Sequence, residues 1–294
     1  MREKGYIIVN GFLREEKFSS LYSALKQSAD SINLSVELKT NIDLMSDIAS
    51  GKTVANEALP RFAIFWDKDV RLAKTLENMG MRLFNSASAI ELCDDKSLTH
   101  IALMNKVPQP KTVLIPLTFP RVGYTSLNFL ENIADYLGFP FVIKQCFGSF
   151  GAGVYLARNM EEAKEALMKT AGGAAIAQQY IASSFARDIR AYVVGGKVAA
   201  AMLRHNDSGD FRANVAQGGK ADKYELNEEQ EKLAVKAAEI LGCTFAGVDL
   251  LFDENGKMTV CEVNSNAHFA GISQATGVNI ADRIIKTVAE QIAR

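Results

Sequence analysis

The sequence predicts an α/β fold, a small N-terminal α/β domain followed by a larger part of α+β character. Three observations carry that expectation. Strand and helix patterns alternate through residues 1–93, the pattern changes at Asp94, and Pro108, Pro110, Pro116 and Pro120 then set a boundary before a second series of elements. The 294 residues match about two domains at roughly 150 residues each. Hydrophobic residues are 48% of the chain and charged ones 23%, the balance of a protein that buries a core rather than one that stays disordered.

Taken in order, Tyr6 to Val9 reads as a strand, and Phe18, Leu21, Tyr22 and Leu25 recur on one helical face. Arg61 to Trp66 is a second strand. Val70, Leu72, Ala73 and Leu76 make a helix ending near Gly80, and Met81 to Phe84 a third strand, which together predict parallel pairing. No Gly-x-Gly-x-x-Gly follows any of these strands, so a dinucleotide fingerprint is absent. Asp94-Asp95-Lys96 reads as the acidic first turn of a helix running to about Asn105. Beyond the prolines come a helix to Leu137, a strand Phe139 to Lys144, a glycine-rich turn, a strand Val154 to Ala157 and a helix Glu161 to Met168. Ala175 to Tyr180, Ile189 to Val194 and Lys197 to Leu203 read as strands. A helix ending before Gly242, a hairpin around Asn255-Gly256 and an amphipathic helix through Ile280, Ile284, Ile285, Val288 and Ile292 complete the chain.

Charge and composition exclude several classes. Thirty-three basic and 34 acidic residues leave a net charge of -1, with no excess field to hold a nucleic acid non-specifically. The apolar run at Tyr6 to Val9 is too brief for a signal peptide, and no segment approaches the ~18 apolar residues of a membrane span, so the expected compartment is the cytoplasm. Cys93, Cys146, Cys243 and Cys261 are far apart and form no Cys-x-x-Cys pair. They read as small buried hydrophobes rather than a zinc or disulfide set.

The chemistry concentrates in the last third. A two-residue Asn255-Gly256 turn pairs Asp249 with Glu262 and Gly247 with Asn264. With a side-chain period of two, Val248, Leu250 and Phe252 then share the core face with Thr259, Cys261 and Val263, while Asp249, Glu262 and Asn264 share the other. Carboxylates on opposed residues, ~4.5–5.5 Å apart at Cβ, repel by roughly 3 kcal/mol at an effective dielectric of 20. A hard cation with oxygen ligands relieves this, as does a lysine, a proton or exposure to solvent. Register decides whether the acids meet at all.

Lys144 ends an apolar strand and precedes Phe147-Gly148-Ser149-Phe150-Gly151-Ala152-Gly153. A lysine so placed is costly to bury unless it meets an anion, and glycines let backbone N–H groups approach phosphate oxygens. The loop lacks the Gly-Lys-Ser/Thr of a Walker motif; the alternative is a plain hairpin tip. Arg204 and Arg212 flank a polar loop and offer guanidinium forks for phosphate or carboxylate, or are simply solvated. His100, within its helix, reads as a surface or packing histidine.

The ordered set Asp95-Lys96, Lys144 with the glycine-rich loop, Gln178-Gln179-Tyr180-Ile181, Asp188-Ile189-Arg190, Gly209-Asp210-Phe211-Arg212-x-Asn214, Ala246-Gly247-Val248-Asp249 and Glu262-Val263-Asn264 resembles the ATP-grasp superfamily, and within it the RimK-like α-L-glutamate ligases. The resemblance runs from Asp94 to the end. It implies an N-terminal α/β domain (1–93), a first ATP-grasp lobe with a lid loop (94–183) and a C-terminal lobe with a metal-binding hairpin (184–294). It further implies that Lys96 and Lys144 contact ATP and that Gly148, Ser149, Gly151 and Gly153 close over the phosphates. Gln179, Tyr180, Asp188, Arg212, Ala213 and Asn214 line the nucleotide, Arg212 and Lys144 act in catalysis, and Asp249, Glu262 and Asn264 hold Mg²⁺ or Mn²⁺. Arg204 and Asn266 fall to the substrate, and His268 either to the substrate or to a structural role. The segment Ser265-Asn266-Ala267-His268-Phe269 departs from the small residue, proline and glycine usual in the family, and Gln179 stands where the family's hinge has glutamate.

The implied reaction is carboxylate–amine ligation through an acyl phosphate, adding glutamate or another amino acid to a small-molecule or peptide acceptor. Alternatives are a small-molecule kinase of the same fold and a non-catalytic ATP-binding regulator. The resemblance names neither substrate, and the oligomeric state, homo-oligomer included, stays open.

Overall fold

The structure is a computed structural model and describes residues 4–119, 121–213 and 219–293. Its first sheet is fully parallel, as the alternation predicts. It comprises β1 (Lys4–Val9), then, after α1 (Glu16–Ser31), β2 (Ser35–Thr40), and beyond a small hairpin of β3 (Ser46–Asp47) and β4 (Lys52–Thr53), β5 (Phe62–Trp66), α2 (Val70–Asn78) and β6 (Arg82–Phe84). The strand order is β2-β1-β5-β6. Strand β2 has no apolar run in Ser-Val-Glu-Leu-Lys-Thr and escapes the sequence pattern because it lies at the sheet edge, half exposed.

The segment at Asp94 corrects an expectation. Instead of opening a helix, Asp94 closes α3 (Ala87–Asp94), and Asp95 caps the separate α4 (Lys96–Leu103). The Asp95 carboxylate accepts from Ser97 N at 2.8 Å and Leu98 N at 3.3 Å, so the acidic pair marks a boundary between two helices.

The second sheet is antiparallel, β7-β10-β8-β9, built from β7 (Thr112–Leu114), β8 (Phe141–Gln145), β9 (Val154–Ala157) and β10 (Ala175–Gln179). Helices α5 (Phe129–Leu137) and α6 (Met160–Lys169) cover one face, burying Leu130, Ile133, Phe141, Ile143 and Leu167 together. The third sheet, β13-β12-β11-β14-β15, contains β11 (Arg187–Val194), β12 (Lys197–His205), β13 (Lys220–Lys223), β14 (Phe245–Phe252) and β15 (Met258–Asn264), with α7 (Glu228–Ile240) between β13 and β14.

The last helices, α8 (Ala270–Thr276) and α9 (Ile280–Ile292), return to the first sheet. Ile284, Ile285 and Val288 of α9 share one core with Leu21 and Leu25 of α1, Ile7 of β1 and Phe245 of β14. Trp66 stacks on Phe245 at 5.3 Å, and Phe269 meets it edge-on at 5.5 Å. Asn85 is 0% exposed and donates to Phe245 O and Ser265 O while accepting from Thr244 N and Phe245 N. This one amide ties the end of the first sheet to the strand that carries Asp249. Among the described residues no helix is long and apolar enough to cross a membrane.

Candidate active site

A cavity of about 410 Å³ lies between the second and third sheets, and the first part of the chain closes one side with Lys17 and Lys68. Its volume suits a nucleotide-sized ligand. Lys96, Lys144, Gly148, Ser149, Gly151, Gln179, Tyr180, Asp188, Arg204, Arg212, Ala213, Asp249, Glu262, Asn264, Asn266 and His268 all line it. Of the residues expected at the site, Gly153 sits at the root of the lid loop, and Asn214 lies outside the described residues.

Strands β14 and β15 pair Asp249 with Glu262 and Gly247 with Asn264, the register expected from the sequence, but by a different route. The turn is not a two-residue one. Asp253 Oδ1 accepts from Asn255 N at 2.8 Å and Lys257 N at 2.7 Å, and Asp253 N donates to Lys257 O, closing a three-residue loop. Gly256 takes φ +75° while Asn255 stays out of the left-handed region. The resulting one-residue shift is undone by a bulge between Asp249 and Leu250, where Leu250 faces Val260 and Cys261 is the extra residue. The bulge also corrects the expected place of Cys261, which lines the cavity instead of joining the core with Val248 and Leu250. Thr259, paired with Leu251, likewise leaves the face expected for it.

Two arginines and a lysine compensate the two acids. Arg190, the ladder partner of Asp249, donates from Nε and Nη2 to both its oxygens at 2.7 Å. Arg204 grips Asp188 through two bonds of 2.6 and 2.7 Å and reaches Asp249 at 3.0 Å. Asp249 and Arg204 are each 5% exposed. Glu262 pairs with Lys96 at 3.3 Å. Burial alone would push both carboxyls up, but Arg190 and Arg204 hold Asp249, and Lys96 with Lys144 holds Glu262, below the usual carboxylate range. Asn264, half-buried, adds an amide whose buried Nδ2 has no protein partner. Two ionised carboxylates and an amide form an oxygen-donor set suited to Mg²⁺, and an unpaired N–H beside them suits an oxygen-rich ligand.

Lys144 Nζ, from the second sheet, donates to Gln178 Oε1 at 2.6 Å and lies 3.5 Å from Cys261 Sγ. Among the described residues no carboxylate pairs with it. Gln178 Nε2 in turn bonds His100 Nε2 at 2.9 Å and Thr112 Oγ1 at 2.9 Å, and His100 Nδ1 meets Gln109 Oε1 at 2.7 Å. His100 is therefore not a surface residue; burial lowers its pKa to about 4, keeping the ring neutral.

The glycine-rich loop lies over the cavity. Gly151 and Gly153 take φ +76° and +71°, and a Cβ on Gly153 would stand 2.4 Å from Gln145 Oε1. Lys96 Nζ donates to Gly148 O, Arg212 Nη1 to Gly151 O at 2.9 Å, and Lys68 Nζ to Ser149 Oγ at 3.2 Å. Phe150 packs edge-on against His268 at 5.5 Å; His268 meets Phe18 at 5.1 Å, and Lys17 Nζ is 5.0 Å from both phenyl rings. At the opposite end Tyr180 packs against Phe211, and Gln179 uses its N–H and Oε1 on Lys111. Asn266 Nδ2 donates to Asp67 O at 2.6 Å, leaving Oδ1 buried and without a protein partner.

Residues 93–288 match the family model of the RimK-like ATP-grasp domain. The chain belongs to the RimK-like ATP-grasp family. It is 36% identical over 225 residues to a probable alpha-L-glutamate ligase of Picosynechococcus, covering 76% of this chain and 72% of that one. The uncharacterized protein MG012 of Mycoplasma genitalium is 34% identical over 278 residues, covering 92% and 96%. The D-alanine–D-alanine ligase of Bacillus anthracis complexed with ATP superposes with a TM-score of 0.73 over 99% of this chain and 97% of that one at 18% identity, a likeness of fold. The protein is a carboxylate–amine ligase of the ATP-grasp type, a family that uses ATP and Mg²⁺.

The sequence expectations assign no role to some of the site residues, Arg190 among them although it stands in the Asp188-Ile189-Arg190 motif. Arg190 was legible in principle, since it lies two residues from Asp188 on the same strand face. Lys17 and Lys68 were not, because only tertiary packing brings the first part of the chain to the cavity.

Proposed function

We propose that the protein joins a carboxylate to an amine at the expense of ATP, with glutamate or another amino acid as one partner, through an acyl phosphate. The division into 1–93, 94–183 and 184–294 and a cytoplasmic location belong to the same reading. The observation that supports it best is that the ladder pair Asp249–Glu262 and Lys144, whose Nζ lies 3.5 Å from Cys261 beside Glu262, line one cavity.

In this reading Asp249, Glu262 and Asn264 hold Mg²⁺, which when bound supplies positive charge to the phosphate oxygens. Lys96 and Lys144 neutralise the triphosphate, and Arg212 steadies the transferring group. Gln179, Tyr180 and Ala213 border the base, with Asp188 orienting Arg204 beside Asp249. Gly148 to Gly153 exclude water that would hydrolyse the acyl phosphate. Asn266 and His268 face the acceptor, which attacks the acyl carbon and displaces phosphate.

Amino acids and small carboxylates are screened for ATP-dependent phosphate release, and the product is weighed. Release that needs both a carboxylate and an amine, with an amide product, is expected. A phosphate ester made from an alcohol would overturn the reading in favour of a kinase.

A further inference from the structure

We propose that Cys93 and Cys243 form a reversible disulfide, a redox modification site at the edge of the cavity. The two sulfurs stand 3.5 Å apart although the residues are 150 positions apart in the chain. Cys93 is buried near the end of α3 and lines the cavity, whereas Cys243 is half-buried in the turn between α7 and β14. Their backbones are held against each other independently of the thiols, because Asn85, just before α3, bonds Thr244 and Phe245, just after Cys243. A disulfide of about 2.05 Å therefore needs the sulfurs to close by roughly 1.5 Å, within reach of side-chain rotation.

The environment assigns the roles. Cys243 is half-buried and within reach of an oxidant, whereas Cys93 is buried and the hydrogen bond to Cys243, together with burial, pushes its thiol up, so Cys243 is the first to meet peroxide. With hydrogen peroxide as oxidant, the Cys243 thiolate attacks one peroxide oxygen, breaking the O–O bond to give a sulfenic acid and hydroxide, which is protonated to water. Cys93 sulfur then attacks the sulfenic sulfur, and the displaced hydroxide leaves as water with the Cys93 proton. Two thiols are oxidised by two electrons and one peroxide is reduced to two waters. A dithiol reverses the bond by exchange. The bridge would fasten α3 to the start of β14 immediately before Asp94, which pairs with Lys68 at 2.5 Å, the lysine that also bonds Ser149 in the lid.

The inference rests on the thiol geometry alone and is tested without an activity assay. The reduced full chain is treated with hydrogen peroxide, quenched in acid denaturant, alkylated and mapped by mass. The expected result is a fall from four alkylatable thiols to two, with a cross-linked peptide joining Cys93 to Cys243, reversed by dithiothreitol. Cys243→Ser, a conservative change at a half-buried site, should leave Cys93 alkylatable under the same treatment. A wild-type chain that keeps both thiols free, carries one of them to sulfinic acid, or bridges through Cys146 or Cys261 would overturn the proposal, whatever the variant does.

Discussion

Gln178 fixes the direction of Lys144: its Oε1 accepts the ammonium proton at 2.6 Å because its Nε2 is committed to His100 and Thr112. A neutral His100 whose Nδ1–H donates to Gln109 presents Nε2 as an acceptor, which forces the Gln178 amide to turn its nitrogen toward the ring. Gln178→Leu is expected to raise the KM for ATP about tenfold, on the order of a hydrogen bond to a charged group, with a smaller effect on kcat. Steady-state kinetics over ATP concentration check it; an unchanged KM would show that Lys144 needs no such guide.

The same histidine makes stability depend on pH. Its folded pKa, about 4, lies below the ordinary 6.5, so the unfolded chain binds the proton first. The contribution is complete above pH 6.5 and is lost as pH falls to about 4, amounting to roughly 3 kcal/mol over the window. Burial lowers His268 as well, adding slope in the same direction. Urea unfolding from pH 7 to pH 4 should show this loss, and His100→Gln should flatten it; parallel profiles for variant and wild type would contradict the assignment.

Asp249→Asn and Glu262→Gln each remove a carboxylate that Arg190 or Lys96 now neutralises. Each is expected to reduce ATP-dependent phosphate release by about 10²-fold or more and to weaken the dependence of ADP binding on Mg²⁺. Calorimetric titration of ADP with and without Mg²⁺ separates loss of the metal site from loss of fold. Wild-type Mg²⁺ dependence in both variants would remove these residues from the metal site.

Phe150 ties the lid to His268 and, through Lys17, to α1. Phe150→Ala should loosen the lid and raise phosphate release in the absence of the amine several-fold, as water reaches the acyl phosphate. Comparing phosphate release with product formation measures that uncoupling. Tight coupling in the variant would show that the contact does not control closure.

Asn85→Ala leaves the N–H of Thr244 and Phe245 and two carbonyls without their buried partner. A loss of about 3 kcal/mol or more in unfolding free energy is expected, because each unsatisfied group costs about 1–3 kcal/mol. Denaturant titration gives the value directly, and a loss below 1 kcal/mol would mean that water replaces the amide.

Much of the site was legible locally. The parallel first sheet followed from alternating strand and helix periods, and Lys144, the glycine-rich loop, Asp249, Glu262 and Asn264 stand in contiguous motifs whose spacing encodes the site directly. Edge strand β2 was not legible, since half-exposed edges carry no apolar period. Helix α3 hid behind an acidic pair that closes one helix and caps the next.

By itself the sequence determined the alternation that builds the first sheet and the motifs that gather at one cavity, because side-chain alternation and turn residues are properties of neighbours in the chain. Tertiary structure alone decided how they are used. The acids meet in register only because the Cys261 bulge cancels the three-residue turn, Asp249 is held by arginines from two other strands, and Lys144 is aimed by a histidine 44 positions before it. Contacts between segments distant in sequence arise from packing a common core, and no local period records them.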